Sequence, residues 1–97
     1  MATFSSQDEL LLMDEIIPAL NKAEDVIILF EGERHVEFGI TVPDEDGYND
    51  FILEDVGDKY VLTTGNEEEV KTFSIKIASV QDLVGRVLEA ARAYEFV

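Results

Sequence analysis

The stretch FILEDVGDKYVLTT, Phe51–Thr64, is the strongest indicator of the fold, because it reads as two β-strands joined by a tight turn. Gly57 and Asp58 fit the two-residue loop of a β-hairpin, which favours glycine at its first position. A loop at that place fixes the register of the two strands. The register sets four pairs of residues opposite each other, two on each face: Leu53 with Leu62 and Phe51 with Thr64, then Glu54 with Val61 and Ile52 with Thr63. We therefore expect a hairpin that buries the face on which Leu53 and Leu62 lie.

A second hairpin is predicted upstream. Asp25–Phe30 is a β-branched apolar run, and His35–Val42 alternates apolar and polar residues. Glycine at the first position of a two-residue loop is typical of a type II′ turn, so Gly32 and Glu33 are predicted to form the loop. This loop sets three pairs opposite each other: Glu31 with Arg34, Leu29 with Val36, and Ile27 with Phe38. One opposite-charge pair and two apolar pairs favour this register.

Amphipathic helices are predicted on both sides of the strands. Near the start, five apolar residues recur at helical spacing: Leu10, Met13, Ile16, Ile17 and Leu20. Pro18 removes a helical hydrogen bond, so we expect either a kink there or an end of the helix at Ile17. Near the other end, Ser79 is a suitable N-cap. The apolar stripe that follows it comprises Val80, Leu83, Val84, Val87, Leu88, Ala91 and Tyr94.

Two details of the second helix carry expectations of their own. Glycine inside a helix costs ~1 kcal/mol relative to alanine, so we expect Gly85 to mark a close approach of the helix to the sheet or to the other helix. Asp82, Arg86, Glu89 and Arg92 are three or four residues apart. We expect the two arginines to pair with these acids along one helix face, because that spacing brings side chains together.

The chain is therefore predicted to form a single α+β domain over residues 1–97. A fifth strand is expected at Val70–Ile77, which gives the element order α-β-β-β-β-β-α. We expect an antiparallel five-stranded meander with the N-terminal and C-terminal helices on one face; helices on opposite faces are the alternative. The residues expected to face the helices are Ile27, Leu29, Val36, Phe38, Ile40, Phe51, Leu53, Leu62, Phe73 and Ile75.

Acidic residues outnumber basic ones along the whole chain. There are 22 Asp and Glu against 7 Lys and Arg, a formal net charge of −15 on 97 residues. Phosphate backbones and anionic membrane surfaces attract basic residues, so we expect no direct binding to nucleic acid or membrane. A basic protein is the favoured partner. The sequence has no cysteine. We expect neither a signal peptide nor a membrane span, and therefore a cytoplasmic protein.

Two acidic clusters are candidate sites. Asp44–Asp50 offers the oxygen ligands that Ca²⁺ prefers, but an EF-hand register would place Val42 and Leu53 at its first and last ligand positions. We expect a solvated turn there, with weak cation binding as the alternative. Glu67–Glu69 is also expected to be solvated. If the two clusters adjoin, they form an acidic rim that would face a basic partner.

No catalytic constellation is present in the sequence. His35 is the one histidine, and a neighbouring Glu37 does not complete an active site. One histidine without cysteine is too small a set for a zinc site. We therefore expect neither an enzyme nor a bound cofactor.

The face of the predicted sheet that the helices leave open is the most informative surface. It mixes apolar residues with carboxylates, and an apolar centre with a polar rim is typical of protein interfaces. The residues expected to bind a partner, on this face and in the acidic rim, are Ile28, Phe30, His35, Glu37, Ile52, Glu54, Val61, Asp44, Glu45, Asp46, Asp50, Glu67, Glu68 and Glu69. The alternative is that another part of the chain covers this face.

These features favour a non-enzymatic acidic binding module that docks on a basic protein. Inhibitors, immunity-type proteins and mimics of nucleic acid are of this kind, since their carboxylates occupy a site that otherwise holds phosphates. The alternative is a homodimeric structural or assembly protein that pairs through its sheet, with the acidity serving solubility.

Overall fold

The computed structural model describes residues 6–43, 46–74 and 79–94. Its elements are α1 (Ser6–Asn21), β1 (Val26–Glu31), β2 (His35–Thr41), β3 (Tyr48–Asp55), β4 (Lys59–Thr64), β5 (Glu69–Ser74) and α2 (Val80–Ala93). The five strands form one antiparallel sheet in the order β1-β2-β3-β4-β5, which is a meander. The predicted α+β architecture is therefore confirmed.

Both helices pack on the same face of the sheet, which we call the inner face. α1 contacts α2 and β1, and α2 contacts β5. Their apolar residues join those of the sheet in one core. The alternative with helices on opposite faces is therefore wrong. Within the described residues, neither helix is long and apolar enough to cross a membrane.

The hairpin of β3 and β4 has the predicted register at all four predicted pairs. The Val56 N–H donates to the Lys59 carbonyl oxygen at 3.0 Å and closes the two-residue loop. Gly57 has a φ of +106°, in the left-handed region that glycine enters without strain. The predicted turn chemistry and the pairing of the strands therefore agree.

The hairpin of β1 and β2 corrects the prediction. Glu31 pairs with Val36, and the Gly32 N–H donates to the His35 carbonyl oxygen at 2.8 Å, so the two-residue loop is formed by Glu33 and Arg34 and not by Gly32 and Glu33. A type II′ turn needs a positive φ at its first loop residue, and Gly32 does not have one. A Cβ at residue 32 would lie 2.4 Å from the His35 ring. Gly32 therefore makes room for that ring rather than reversing the chain.

A bulge turns the first part of β1, Val26–Ile28, over, whereas Phe30 beyond the bulge keeps the face predicted for it. Ile28 pairs with Phe38 on the inner face, and a bulge at Leu29 follows. Val26 is 7% exposed, whereas Ile27 and Leu29 are 39% and 38% exposed. Ile27 and Leu29 were expected in the core and Ile28 on the open face; both predictions are wrong, because the extra residue of the bulge moves the side chains that precede it to the opposite face.

The helix boundaries follow the local signals in part. α1 continues through Pro18 to Asn21, which excludes the predicted end at Ile17, and the proline is exposed. α2 begins after Ser79, whose Oγ accepts a hydrogen bond from the Asp82 N–H at 3.1 Å. The predicted N-cap of α2 is therefore confirmed.

Most of the predicted inner residues lie in the core. Those found there are Val36, Phe38, Ile40, Phe51, Leu53, Leu62 and Phe73. Val26 and Tyr60 are also in the core, although neither was predicted to be. Ile75, the remaining prediction for this face, lies outside the described residues.

Two expectations for α2 are corrected. Gly85 is exposed, and a Cβ there would meet nothing within 4 Å, so no neighbouring element approaches it closely. Arg86 pairs with Asp82 at 3.2 Å, as predicted. Arg92 instead pairs with Asp25, before β1, and its Nε and Nη2 donate to the two carboxylate oxygens at 2.8 and 2.7 Å. This pair ties α2 to the start of the sheet.

Candidate functional site

The side of the sheet opposite the helices is the candidate site, and we call it the outer face. Strand alternation and register place two adjoining rows of side chains on it: Phe30, Glu37, Ile52 and Thr63 in one, and His35, Glu54 and Val61 in the other. Eight of the residues predicted to bind a partner share this face: Phe30, His35, Glu37, Asp50, Ile52, Glu54, Val61 and Glu69. Ile28 does not, because it is half-buried against the core.

The outer face carries unusual apolar exposure. Where side-chain exposure is described (13–43, 46–74 and 79–94), the exposed large hydrophobic side chains belong to the sheet or its turns: Ile27, Leu29, Phe30, Tyr48 and Val56. Phe30 is the most exposed of them, at 53%. Single exposed apolar side chains are ordinary, but the register places Ile27, Phe30 and Tyr48 on the same face, and a group gathered on one side of a domain indicates an interaction surface.

Phe30 and His35 form an aromatic pair at one end of this face. Their ring centroids are 5.4 Å apart and their planes differ by 26°, so the rings stack. The His35 ring occupies the space beside Gly32, where a side chain would collide with it. Glu37 pairs directly with Phe30 across the two strands. The arrangement places an exposed aromatic ring between an imidazole and a carboxylate.

A second apolar area surrounds Gly39, in the middle of β2. The Tyr48 ring lies over this glycine, since a Cβ there would be 2.5 Å from the Tyr48 Cδ1. Ile27 pairs with Gly39 from the other side. Ile27 and Tyr48 were not among the predicted site residues. A glycine inside a strand is the signal that could have revealed them, because it often marks a close approach of other groups.

Carboxylates are interleaved with these apolar groups. Four lie on the outer face: Glu37, Asp50, Glu54 and Glu69. Glu37 stands between Phe30 and Ile52, and Glu54 stands between His35 and Val61. The described part of the face therefore combines apolar contact area with negative potential, which favours a partner that is apolar and basic.

The β4–β5 loop adjoins the start of β3 at one end of the sheet. The Gly65 N–H donates to the Asp50 carbonyl oxygen at 3.0 Å, which joins the start of β3 to the β4–β5 loop. In that loop, the Thr64 Oγ1 accepts hydrogen bonds from the N–H groups of Asn66 and Glu68, at 3.2 and 3.1 Å. The residues of the predicted rim that are exposed here are Asp46, Asp50, Glu67, Glu68 and Glu69. Asp44 and Glu45 lie outside the described residues.

The end of α2 supports this loop. The Tyr94 hydroxyl donates to the Glu68 Oε1 at 3.1 Å, and its ring meets the Phe51 ring edge-on at 6.3 Å. Desolvation raises the pKa of Tyr94, and the hydrogen bond to the Glu68 carboxylate raises it further. The loop that presents Glu67–Glu69 is therefore attached to the core through an aromatic side chain.

Asp55 is a buried carboxylate at the opposite end. Its side chain is 1% exposed, and its Oδ1 accepts hydrogen bonds from the Gly57 N–H at 2.8 Å and from the Arg34 Nη2 at 3.3 Å. These bonds join the two hairpin turns. Asp two residues before a turn glycine is a known turn signal, but nothing in the sequence indicated that Arg34 would reach it.

The Arg92–Asp25 pair lies beside a groove of about 430 Å³ between the end of β2 and the end of α2. The hydrogen bonds from Arg92 lower the pKa of Asp25, and the same contact raises the pKa of Arg92. Because the guanidinium is bound to Asp25 through two donors, it stabilises the fold at this groove.

The described residues contain no group of three or more His, Asp or Glu side chains placed to hold a metal ion. No family model matches the chain, and neither curated proteins nor solved structures gave a significant match.

Proposed function

We propose that this protein is a non-enzymatic, cytoplasmic binding module that docks on a basic partner protein through its outer face and acidic rim. The observation that carries the proposal is the open outer face, on which exposed Phe30 and Ile27 adjoin the carboxylates Glu37 and Glu54. An inhibitor, an immunity-type protein or a mimic of nucleic acid would use carboxylates in this way. Each would occupy a surface that otherwise holds phosphates.

Charge supports the proposal through the kinetics of association. A net charge of −15 on 97 residues creates a strong negative field. Such a field attracts a basic protein and raises the association rate by roughly 10- to 1,000-fold at low ionic strength. Apolar groups on the outer face would then slow dissociation, because they lose contact with water in the complex. The two features together favour a specific complex over general adhesion.

The test is a pull-down with matched baits, followed by nuclease inhibition assays on the basic proteins retained. The outer-face bait carries Phe30→Ser, Glu37→Gln and Glu54→Gln. The control bait carries Asp14→Asn and Glu15→Gln, two exposed acids of α1, and loses the same charge. We expect wild type and control to retain one basic protein stoichiometrically at low salt, to release it at about 0.5 M NaCl, and the outer-face bait to lose it. Equal retention by both variants would contradict the proposal.

A homodimer that pairs through the sheet is the second candidate function. The exposure of Phe30 at 53% on a strand at the sheet edge favours it. Light scattering coupled to size exclusion distinguishes the two: a stable dimer that Phe30→Ser dissociates supports self-association, and a monomer at micromolar concentration supports the binding module.

A further inference from the structure

β1 is an edge strand with little protection against pairing. It ends the sheet, and no described strand pairs with its free side. Its sequence, VIILFE, contains one charged residue, Glu31. Exposed apolar edge strands are templates for a further strand, and proteins usually protect them with lysine, proline or bulges. β1 has a bulge at Leu29, which leaves Val26–Ile28 as its regular part.

The opposite edge differs. β5 also has an irregular register, but it places exposed Glu69 and Lys71 among its six residues. Charged side chains of both signs on an edge discourage the addition of another strand. The comparison makes β1 the edge that is open to pairing.

The backbone of β1 has hydrogen-bonding groups that point to the free side. The Thr41 N–H donates to the Asp25 carbonyl oxygen at 2.9 Å, so the 25–41 pair is a hydrogen-bonded pair of the ladder. Because such pairs alternate along antiparallel strands, Ile27 also directs its backbone groups toward β2. Val26 and Ile28 then direct theirs away from it. The Val26 N–H donates to Ala23 at 3.2 Å; the Val26 C=O and both backbone groups of Ile28 face the free side.

Carboxylates stand at both ends of this edge. Glu24 and Asp25 precede β1, and Glu31 and Glu33 are at its far end; Glu24, Glu31 and Glu33 are exposed. The five steps from Val26 to Glu31 span about 17 Å. A strand that fills the edge would therefore have an apolar centre with basic residues near its ends.

We propose, on the basis of the proposed function, that the partner contributes such a segment, which joins β1 as a sixth strand. Main-chain hydrogen bonds to Val26 and Ile28 would supply affinity, as in other cases of strand addition. Lysine or arginine at the ends of the segment would pair with Glu24 and Glu31. The outer-face residues Ile27 and Phe30 would contact its side chains.

A second copy of this chain fits the edge less well than a basic segment. Antiparallel pairing of two β1 strands would place Glu31 of one copy near Asp25 and Glu24 of the other. Each copy also carries a net charge of −15. Like charges directly opposite in a sheet are destabilising.

The experiment uses the synthetic hexapeptide Lys-Val-Val-Val-Val-Lys with capped ends, which has the apolar centre and basic ends of the proposed segment. One derivative is N-methylated at every odd position of the peptide and another at every even position, so that each loses the backbone N–H donors along one edge. In NMR titrations we expect the parent peptide to shift the β1 amides and to slow hydrogen exchange at Ile28. One methylated derivative should bind about as well as the parent, and the other about tenfold more weakly. Equal affinity of the two derivatives would show that neither edge of the peptide supplies main-chain hydrogen bonds and would overturn strand addition.

Charge variants complete the test. Glu24→Gln, Glu31→Gln and Glu33→Gln together should weaken the parent peptide about fivefold or more at low salt. The control, Asp14→Asn with Glu15→Gln and Glu89→Gln, removes three exposed acids from the helices and should have a much smaller effect. Peptide shifts confined to Ile52 and Val61 would overturn strand addition and leave outer-face docking intact. If no peptide binds and the pull-down also fails, both strand addition and outer-face docking are overturned. A dimer that pairs through β1 would overturn the basic segment as the occupant and assign the edge to a second copy of the chain.

Discussion

The His35 ring lies against the α-carbon of Gly32, so closely that a Cβ on residue 32 would be 2.4 Å from the His35 Cε1. The same ring stacks on Phe30 at 5.4 Å. The absence of a side chain at residue 32 therefore positions an aromatic pair on the outer face. The glycine acts through steric space, because its φ is not in the left-handed region.

This relationship predicts the effect of Gly32→Ala. The new methyl group must displace the His35 ring, so we expect a loss of about 1–3 kcal/mol in the free energy of unfolding. Urea denaturation of the single and double variants measures it. In a His35→Ala background the same change should cost less than about 0.5 kcal/mol. An equal cost in both backgrounds would show that the backbone, and not the ring, requires glycine.

Gly85→Ala is expected to stabilise the protein. Gly85 lies inside α2, and a Cβ there would meet nothing within 4 Å. Alanine should therefore raise the free energy of unfolding by about 0.5–1 kcal/mol, through helix propensity and lower entropy of the unfolded chain. Gly57→Ala is the matched control, because that site is equally open but has a φ of +106°. It should destabilise; stabilisation by both changes would mean that φ is unimportant here.

Asp55→Ala tests the buried carboxylate that joins the two hairpin turns. It removes the acceptor of the Gly57 N–H and of Arg34, and we expect a loss of about 1–3 kcal/mol. Asp58→Ala, in the same turn but exposed, should change stability by less than about 0.5 kcal/mol. Thermal and urea unfolding of both variants provide the comparison. Similar small effects would show that the buried bonds contribute little.

The Asp25–Arg92 pair predicts a dependence of stability on pH. Bonding to Arg92 lowers the pKa of Asp25 below its ordinary value of 3.8. A carboxyl whose folded pKa is lowered contributes stability that is present above its unfolded pKa and is lost as pH falls through the folded pKa. Both side chains are partly exposed, so the contribution is about 0.5–1 kcal/mol.

The measurement compares wild type with Asp25→Asn across acid and neutral pH. The difference in the free energy of unfolding should be constant at neutral pH and should shrink as pH falls below about 4. In an Arg92→Gln background, which removes the cause of the lowered pKa, Asp25→Asn should not show this pattern. A difference that stays constant into strong acid would mean that the pair does not titrate as proposed.

The two hairpins show how far local sequence determines strand pairing. In the β3–β4 turn, Gly57 has the positive φ that its turn requires, so the loop alone predicted every pair. In the β1–β2 turn, Gly32 is required by the distant ring of His35, and the same turn rule gave the wrong register. A glycine in a sequence does not reveal which of these two reasons applies.

Local sequence also predicted only part of the candidate site. Alternation along β2–β4 was enough to predict that five of its residues share one face: His35, Glu37, Ile52, Glu54 and Val61. Ile28 was misplaced because the bulge at Leu29 is invisible to an alternating pattern. The partnership of Arg34 with Asp55 and of Arg92 with Asp25 joins residues far apart in the chain, which spacing rules for a single helix or strand do not describe.

The amino-acid sequence alone specified the two helices and five strands, their order and the acidic surface. The spacing of apolar residues, the turn residues and the charge are local properties of the chain. Tertiary packing settled which face of β1 is buried, that both helices cover the same side of the sheet, and that the β4–β5 loop adjoins Asp50. These depend on how side chains from distant segments fill one shared core. Packing of that kind is a property of the assembled fold, and no short window of residues contains it.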